Sequence, residues 1–228
     1  MGMENAEQRT ILARFFKTGK GQYGEGDLFL GIKVPQVRSV VREHWKQCSE
    51  EEMEQLVCSP YHELRLCGLL ILVQKFSHAR KDEDLRRSYV DFYLSHTDHI
   101  NNWDLVDLSC YEIVGTWLLD RDRSLLYELA RNGRTMWEQR IAMVSCMQLV
   151  RHGEYEDCLA IADILLHHTH DLIHKAVGWM LREVDKREPE LLRAYLKPRY
   201  STMPRTMLRY AIEHFPEEER QRYLKGMV

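Results

Sequence analysis

The residues best suited to chemistry lie in the stretch Asn101-Asn102-Trp103-Asp104-Leu105-Val106-Asp107. Trp103 and Asp107 are four residues apart, so in a helix they project from the same side, one above the other. An aromatic plane beside a carboxylate, on a concave surface, can hold a cationic or cation-forming ligand. The plain alternative is a core tryptophan and a solvated aspartate, and on the heptapeptide alone that alternative is the stronger.

Two helical patterns must position such groups. The first runs from Asn102 to Leu118 and carries an apolar stripe of Val106, Cys110, Ile113, Val114 and Trp117. Trp103 falls within that arc and Asp107 at its flank, and Asn101 or Asn102 can cap the first turn through a side-chain carbonyl. The second runs from Leu172 to Val184, with Ile173, Ala176, Val177, Met180, Leu181 and Val184 as its stripe. Trp179 lies on the opposite side with Lys175, Arg182 and Lys186. A tryptophan on a basic polar face needs either a second packing layer or a ligand to cover it, and both remain open. Arg140 shares a helix face with Trp137 and Val144; it can meet a phosphate bidentately or form a buried ion pair with an aspartate.

The rest of the chain is helical in pattern nearly throughout. Helices are expected over Glu7 to Lys17, from Pro35, after a capping box at Ser49-Glu50-Glu51-Glu52, from Pro60 through Phe76, and over Asp82 to Leu94. Further ones are expected over Ser124 to Arg131, from a second capping box at Thr135-Met136-Trp137-Glu138 to Arg151, and over Tyr155 to Leu166. The last three are Pro189 to Leu196, Thr202 to Phe215 and Glu217 to Leu224. The one glycine-rich stretch, Thr18 to Gly31, matches neither phosphate-loop pattern. With no convincing strand, helices joined by short polar connections imply an all-α fold: an α-α superhelix, or solenoid, of HEAT-like helical repeats, forming a single domain over 1–228. Such a stack presents a concave surface to an extended ligand.

Charge and composition exclude several classes. The formal net charge of −3 gives no global attraction to a polyanion, so any nucleic-acid site is a local patch. Residues 186–209 supply one: seven cations against Glu188 and Glu190, a net +5, which is either a phosphate-binding patch or a solvated face. The first residues lack a signal-peptide pattern, and no apolar run reaches the roughly 20 residues a membrane helix needs. The six cysteines form no C-x-x-C pair and read as buried thiols in a reducing compartment. The histidines show no zinc spacing, so neither metal nor cofactor is expected, and His167, His168 and His170 are expected to meet the free carbonyls of a helix end.

Together these features resemble one family, the AlkD-type DNA glycosylases, the HEAT-like-repeat branch of the DNA alkylation repair enzymes. The resemblance covers nearly the whole chain. It is carried by Tyr23-Gly24-Glu25-Gly26-Asp27-Leu28-Phe29-Leu30-Gly31-Ile32-Lys33-Val34-Pro35, by Asn102-Trp103-Asp104-Leu105-Val106-Asp107, by Trp137-Glu138-Gln139-Arg140 and by Lys175-Ala176-Val177-Gly178-Trp179-Met180-Leu181-Arg182-Glu183. Some members carry a second tryptophan where this chain has Asn102.

The resemblance implies hydrolysis of the N-glycosidic bond of cationic N-alkylated purines, such as 3-methyladenine and 7-methylguanine, in duplex DNA. It implies Trp103 and Trp179 as aromatic walls around the lesion's deoxyribose, Asp107 as the catalytic carboxylate and Arg140 as a DNA-backbone contact. Lys175, Arg182 and Lys186 are the further DNA-binding candidates. Trp103, Asp107, Arg140 and Trp179 are expected on one concave face of a cytoplasmic monomer without cofactor or metal. The alternatives are a HEAT-like repeat protein that binds DNA without cutting it, and a protein-binding solenoid.

Overall fold

A computed structural model describes residues 2–228, and in it the only β pairing is an isolated parallel bridge between Leu28 and Tyr61. Among the described residues thirteen α-helices follow one another: α1 (Ala6–Phe15), α2 (Val34–His44), α3 (Glu50–Val57), α4 (His62–His78), α5 (Glu83–Ser95), α6 (Trp103–Asp107), α7 (Ser124–Asn132), α8 (Met136–Arg151), α9 (Glu156–Ile164), α10 (Asp171–Asp185), α11 (Pro189–Leu196), α12 (Arg205–Ala211) and α13 (Glu217–Lys225). The fold is all-α, and neighbours in sequence pack as pairs, the arrangement of an α-α superhelical repeat fold. No helix among the described residues is long and apolar enough to cross a membrane.

The chain divides into two compact units, the first ending at Ile113 and the second spanning Val114–Val228. The first is built on α4, against which α2, α3, α5 and α6 pack. Most of α4 is buried, including every residue from Arg65 through Leu72 and again Phe76, because the run from Leu66 to Val73 is apolar on every side. The second unit is built on α8, buried from Arg140 to Val150 and flanked by α7, α9 and α10. There α10 lies close on α12 because residue 178 is glycine: a Cβ would sit 2.5 Å from that of Tyr210 and 2.6 Å from the Met207 carbonyl oxygen.

Helix starts follow local chemistry. Ser49 and Glu52 form the expected reciprocal cap, with Ser49 N–H donating to the Glu52 carboxylate at 2.8 Å and Glu52 N–H to Ser49 Oγ at 3.2 Å. The second box closes only halfway. Thr135 Oγ1 accepts from Glu138 N–H at 3.3 Å, but the Glu138 carboxylate turns to the backbone N–H of Arg134 at 2.6 Å and its guanidinium at 2.8 Å. An arginine charge outbids a neutral amide for the carboxylate. Pro60 does not open α4. Its carbonyl accepts from Leu28 N–H at 3.4 Å, and the helix begins two residues later at His62. The expected Thr202–Phe215 helix contracts to α12, which starts just after Pro204.

One departure touches the site. The expected helix from Asn102 to Leu118 is interrupted: α6 ends at Asp107, and Tyr111–Gly115 forms a wider π-type turn. Ser109 is the cause. Its hydroxyl donates to the Leu105 carbonyl that its own amide would use in a continuing helix, so that amide bonds Val106 instead, at 3.1 Å. The fully buried Tyr93 hydroxyl holds Ser109 Oγ at 3.0 Å. Val106, Cys110, Ile113 and Val114 are nevertheless all buried, as the stripe required. Four cysteines are buried; Cys48 is half-buried and Cys58 exposed, since Cys58 caps the exposed end of α3 rather than lying on its inner face.

Candidate functional site

The start of α6 is held by groups drawn from distant parts of the first unit. Asn102 caps the helix, its side-chain oxygen accepting from Trp103 N–H at 2.9 Å. Asn101 and Asn102 both donate to the Asp27 carboxylate, at 3.1 and 3.5 Å. Arg65 donates through one nitrogen to Asp27 at 2.7 Å and to Asn101 at 3.0 Å, and through another to the Ser59 carbonyl at 3.0 Å. His62 stands between two carboxylates, with Nδ1 3.3 Å from Asp27 and Nε2 2.8 Å from Asp104. Both ring nitrogens therefore donate, which requires the imidazolium form.

All four ionic members of this cluster are buried. Burial alone would lower the His62 pKa, but hydrogen bonds to Asp104 and Asp27 and the Asp104 charge outweigh it and push it up to about 9. Burial would raise the pKa of Asp27; the His62 hydrogen bond and the Arg65 and His62 charges hold it below the usual carboxylate range instead. Two carboxylates face two cations, so the cluster is neutral, and its hydrogen bonds offset much of the cost of taking four charges out of water. A third buried carboxylate, Glu63, accepts the backbone N–H groups of Leu30, Gly31 and Ile32 at 2.9, 2.8 and 3.1 Å. Gly31 has φ +86°, and a Cβ there would lie 2.0 Å from the Asn5 carbonyl oxygen, so the loop admits no side chain at this point.

These contacts frame a cavity of about 440 Å³ in the first unit. Its wall is mainly aromatic and aliphatic: Phe15, Phe16, Phe29, Leu12 and Leu66, with Trp103 and Asp107. Phe16 stacks on Trp103 at 5.4 Å and on Phe29 at 5.3 Å, and Phe15 meets Trp103 edge-on at 5.9 Å. Three carboxylates reach this cavity. Glu63 is engaged by the loop amides and Asp104 by His62, both buried, whereas Asp107 is part-exposed. Few water molecules would screen a carboxylate on such a wall, so its attraction for a nearby cation is stronger than in open solvent. Among the described residues no group of three or more His, Cys, Asp or Glu is placed to hold a metal ion.

The remaining candidates lie in the second unit. Arg140 on α8 is 5% exposed and donates to the Leu172 carbonyl in the first turn of α10. Trp179 on α10 is half-buried and its indole N–H bonds the Glu183 carboxylate. Lys175 pairs with Asp171 at 2.8 Å, Lys186 with Glu183 at 2.6 Å, and Arg182 with Glu213. The basic stretch 186–209 is largely neutralised by acids the linear count did not include: Arg187 meets Glu183, Arg193 meets Glu219 and Arg199 meets Asp163. Lys197 and Arg209 stay exposed. His170 caps the start of α10, its Nδ1 accepting from Leu172 N–H at 3.2 Å, rather than meeting free carbonyls. Burial lowers its pKa, which suits a neutral ring at the positive end of a helix.

Periodicity brought Trp103 and Asp107 to one cavity because both belong to a single turn. Asp27, His62, Glu63 and Arg65 were not singled out. The available signal was three ionisable residues, His62, Glu63 and Arg65, in the first turn of a helix that then runs apolar from Leu66 through Val73.

Three comparisons bear on the chain as a whole. A family model described as DNA alkylation repair enzyme matches residues 2–215. No curated protein matches the sequence. Among solved structures, a predicted DNA alkylation repair enzyme from Enterococcus faecalis superposes with a TM-score of 0.73 at 16% identity, over 95% of this chain and 99% of that one. At that identity the likeness concerns the fold.

Proposed function

Because the chain belongs to the DNA alkylation repair enzyme family, we propose that it is a monofunctional DNA glycosylase acting on cationic N-alkylated purines, such as 3-methyladenine and 7-methylguanine, in duplex DNA. The observation that carries this reading is the cavity shared by Trp103 and Asp107, where Asp107 is the part-exposed carboxylate. An alkylated purine is positively charged and leaves without being protonated. Breaking its glycosidic bond leaves an oxocarbenium-like sugar, which a nearby carboxylate and aromatic faces stabilise. Asp107 supplies the negative charge and orients the attacking water, and Trp103 supplies an aromatic face. Trp179 on α10 is assigned the second aromatic role.

Lys175, Arg182, Lys186 and Arg140 are the proposed contacts to the DNA backbone. The i,i+4 pair of Lys175 with Asp171 is exposed enough for phosphate to displace the carboxylate, since surface pairs are worth about 0–1 kcal/mol, whereas Lys186 reaches a phosphate from beside the buried Glu183. Arg140 would meet a phosphate with a guanidinium that also braces α10. The test is release of free base from duplex DNA containing 7-methylguanine under single-turnover conditions. Release at the spontaneous rate by protein that binds the duplex would overturn the glycosylase assignment in favour of a non-catalytic DNA-binding protein.

A further inference from the structure

Next to the Trp103 and Asp107 cavity, and sharing Pro35 and Leu108 with it, lies a second cleft of about 590 Å³ within the first unit. One side is α2, which contributes Arg38 and Arg42; the other includes Gln74 and Ser77 of α4 together with Tyr111 and Glu112. Arg38 and Arg42 are four residues apart, so their Cβ atoms stand about 6 Å from one another on the same helix face. Both are exposed, and among the described residues neither makes a hydrogen bond or an ion pair. This sets them apart from Lys175, Arg182 and Lys186, each of which already faces a carboxylate. Two adjacent guanidiniums with unspent donors, opposite one carboxylate, leave the cleft with an unanswered positive charge.

The geometry points to this cleft as a phosphodiester-binding site, at which Arg38 and Arg42 grip neighbouring phosphates of the DNA strand whose nucleotide faces Trp103 and Asp107. The assignment rests on the DNA-repair reading of the chain and adds to it a contact surface in the first unit. A guanidinium presents two parallel donors to a phosphate, so each arginine can hold its own phosphate bidentately. Such contacts carry no sequence information but set the register of the strand, which here would bring a deoxyribose up to Asp107. Glu112, on the far side of the cleft, is the one acid among its lining residues and opposes the strand by charge.

The test measures binding of the full chain to a short undamaged duplex across a salt series of about 50–200 mM, for wild type, Arg38→Ala/Arg42→Ala, Arg38→Lys/Arg42→Lys and Glu112→Gln. Each phosphate contact contributes about 0.9 to the slope of log affinity against log salt, so the double alanine variant should lose about 2 from that slope. The lysine pair should retain most of the slope, and Glu112→Gln should bind more tightly than wild type. Both arginines are exposed and make no internal bond, so circular dichroism and melting of the alanine variant should match wild type. An alanine variant with the wild-type slope overturns the site and leaves the glycosylase reading standing. A lysine pair as defective as the alanine pair overturns the phosphate assignment as well. A wild-type protein with no salt-dependent duplex binding removes both.

Discussion

Replacing His62 with glutamine tests whether a buried imidazolium holds the start of α6. Glutamine is of similar length and keeps one donor group, but it carries no charge and cannot bridge Asp27 and Asp104, which flank His62 at 3.3 and 2.8 Å. Asp27 would keep Arg65, Asn101 and Asn102, whereas Asp104 would retain only the Leu105 amide at 2.9 Å. Removing one partner of a buried pair costs about 3–5 kcal/mol. The ionisation gives a parallel figure: a pKa raised from 6.5 to about 9 corresponds to roughly 3 kcal/mol favouring the charged folded form. Because the folded value is the higher one, this contribution is whole below the unfolded pKa of 6.5 and is lost as pH rises through about 9. The assay is urea unfolding of wild type and variant, followed by circular dichroism from about pH 6 to 10, with amide exchange of residues 103–107 as a local probe. The difference in stability should be about 3 kcal/mol at the acid end and shrink to about 1 kcal/mol or less at the alkaline end. A difference that stays constant over this range, or is under about 1 kcal/mol throughout, would refute the imidazolium bridge.

On the acid side, the depressed pKa of Asp27 means that its contribution is present above 3.8 and lost as pH falls through the lower folded value; Asp27→Asn should therefore flatten the acid limb of a pH-melting profile. Asp107→Asn should leave duplex binding intact or tighter while slowing base release by about a hundred- to a thousandfold, less if water reaches the transition state, because the carboxylate acts on charge that develops in the reaction. Wild-type single-turnover rates in that variant would remove Asp107 from the mechanism. Arg140→Ala should weaken damaged and undamaged duplex alike by roughly 1–3 kcal/mol and lower the melting temperature too, since the same guanidinium braces Leu172. Unchanged duplex affinity with reduced stability would leave Arg140 a structural role alone.

What the sequence determined by itself is what depends on neighbours in the chain. Apolar spacing located the helices and the all-α class, because a 3.6-residue period is a local property. Ser49 and Glu52 marked a helix start because both halves of the cap lie within one turn, and Trp103 and Asp107 face one cavity for the same reason. What only the tertiary structure decided involves partners that the linear order keeps apart. Tyr93 and Ser109 end α6 where periodicity ran on, because the hydroxyl that interrupts the ladder is held from another helix. Asp27, Arg65 and Asn101 converge across up to 74 positions of sequence, and no local pattern announces it. The basic stretch 186–209 reads as a phosphate patch until Glu183, Glu219 and Asp163 fold onto it, while Arg38 and Arg42, unremarkable in the sequence, keep their charges unspent. Charge available to a ligand is what remains after the fold has made its own pairs, and that remainder exists only in three dimensions.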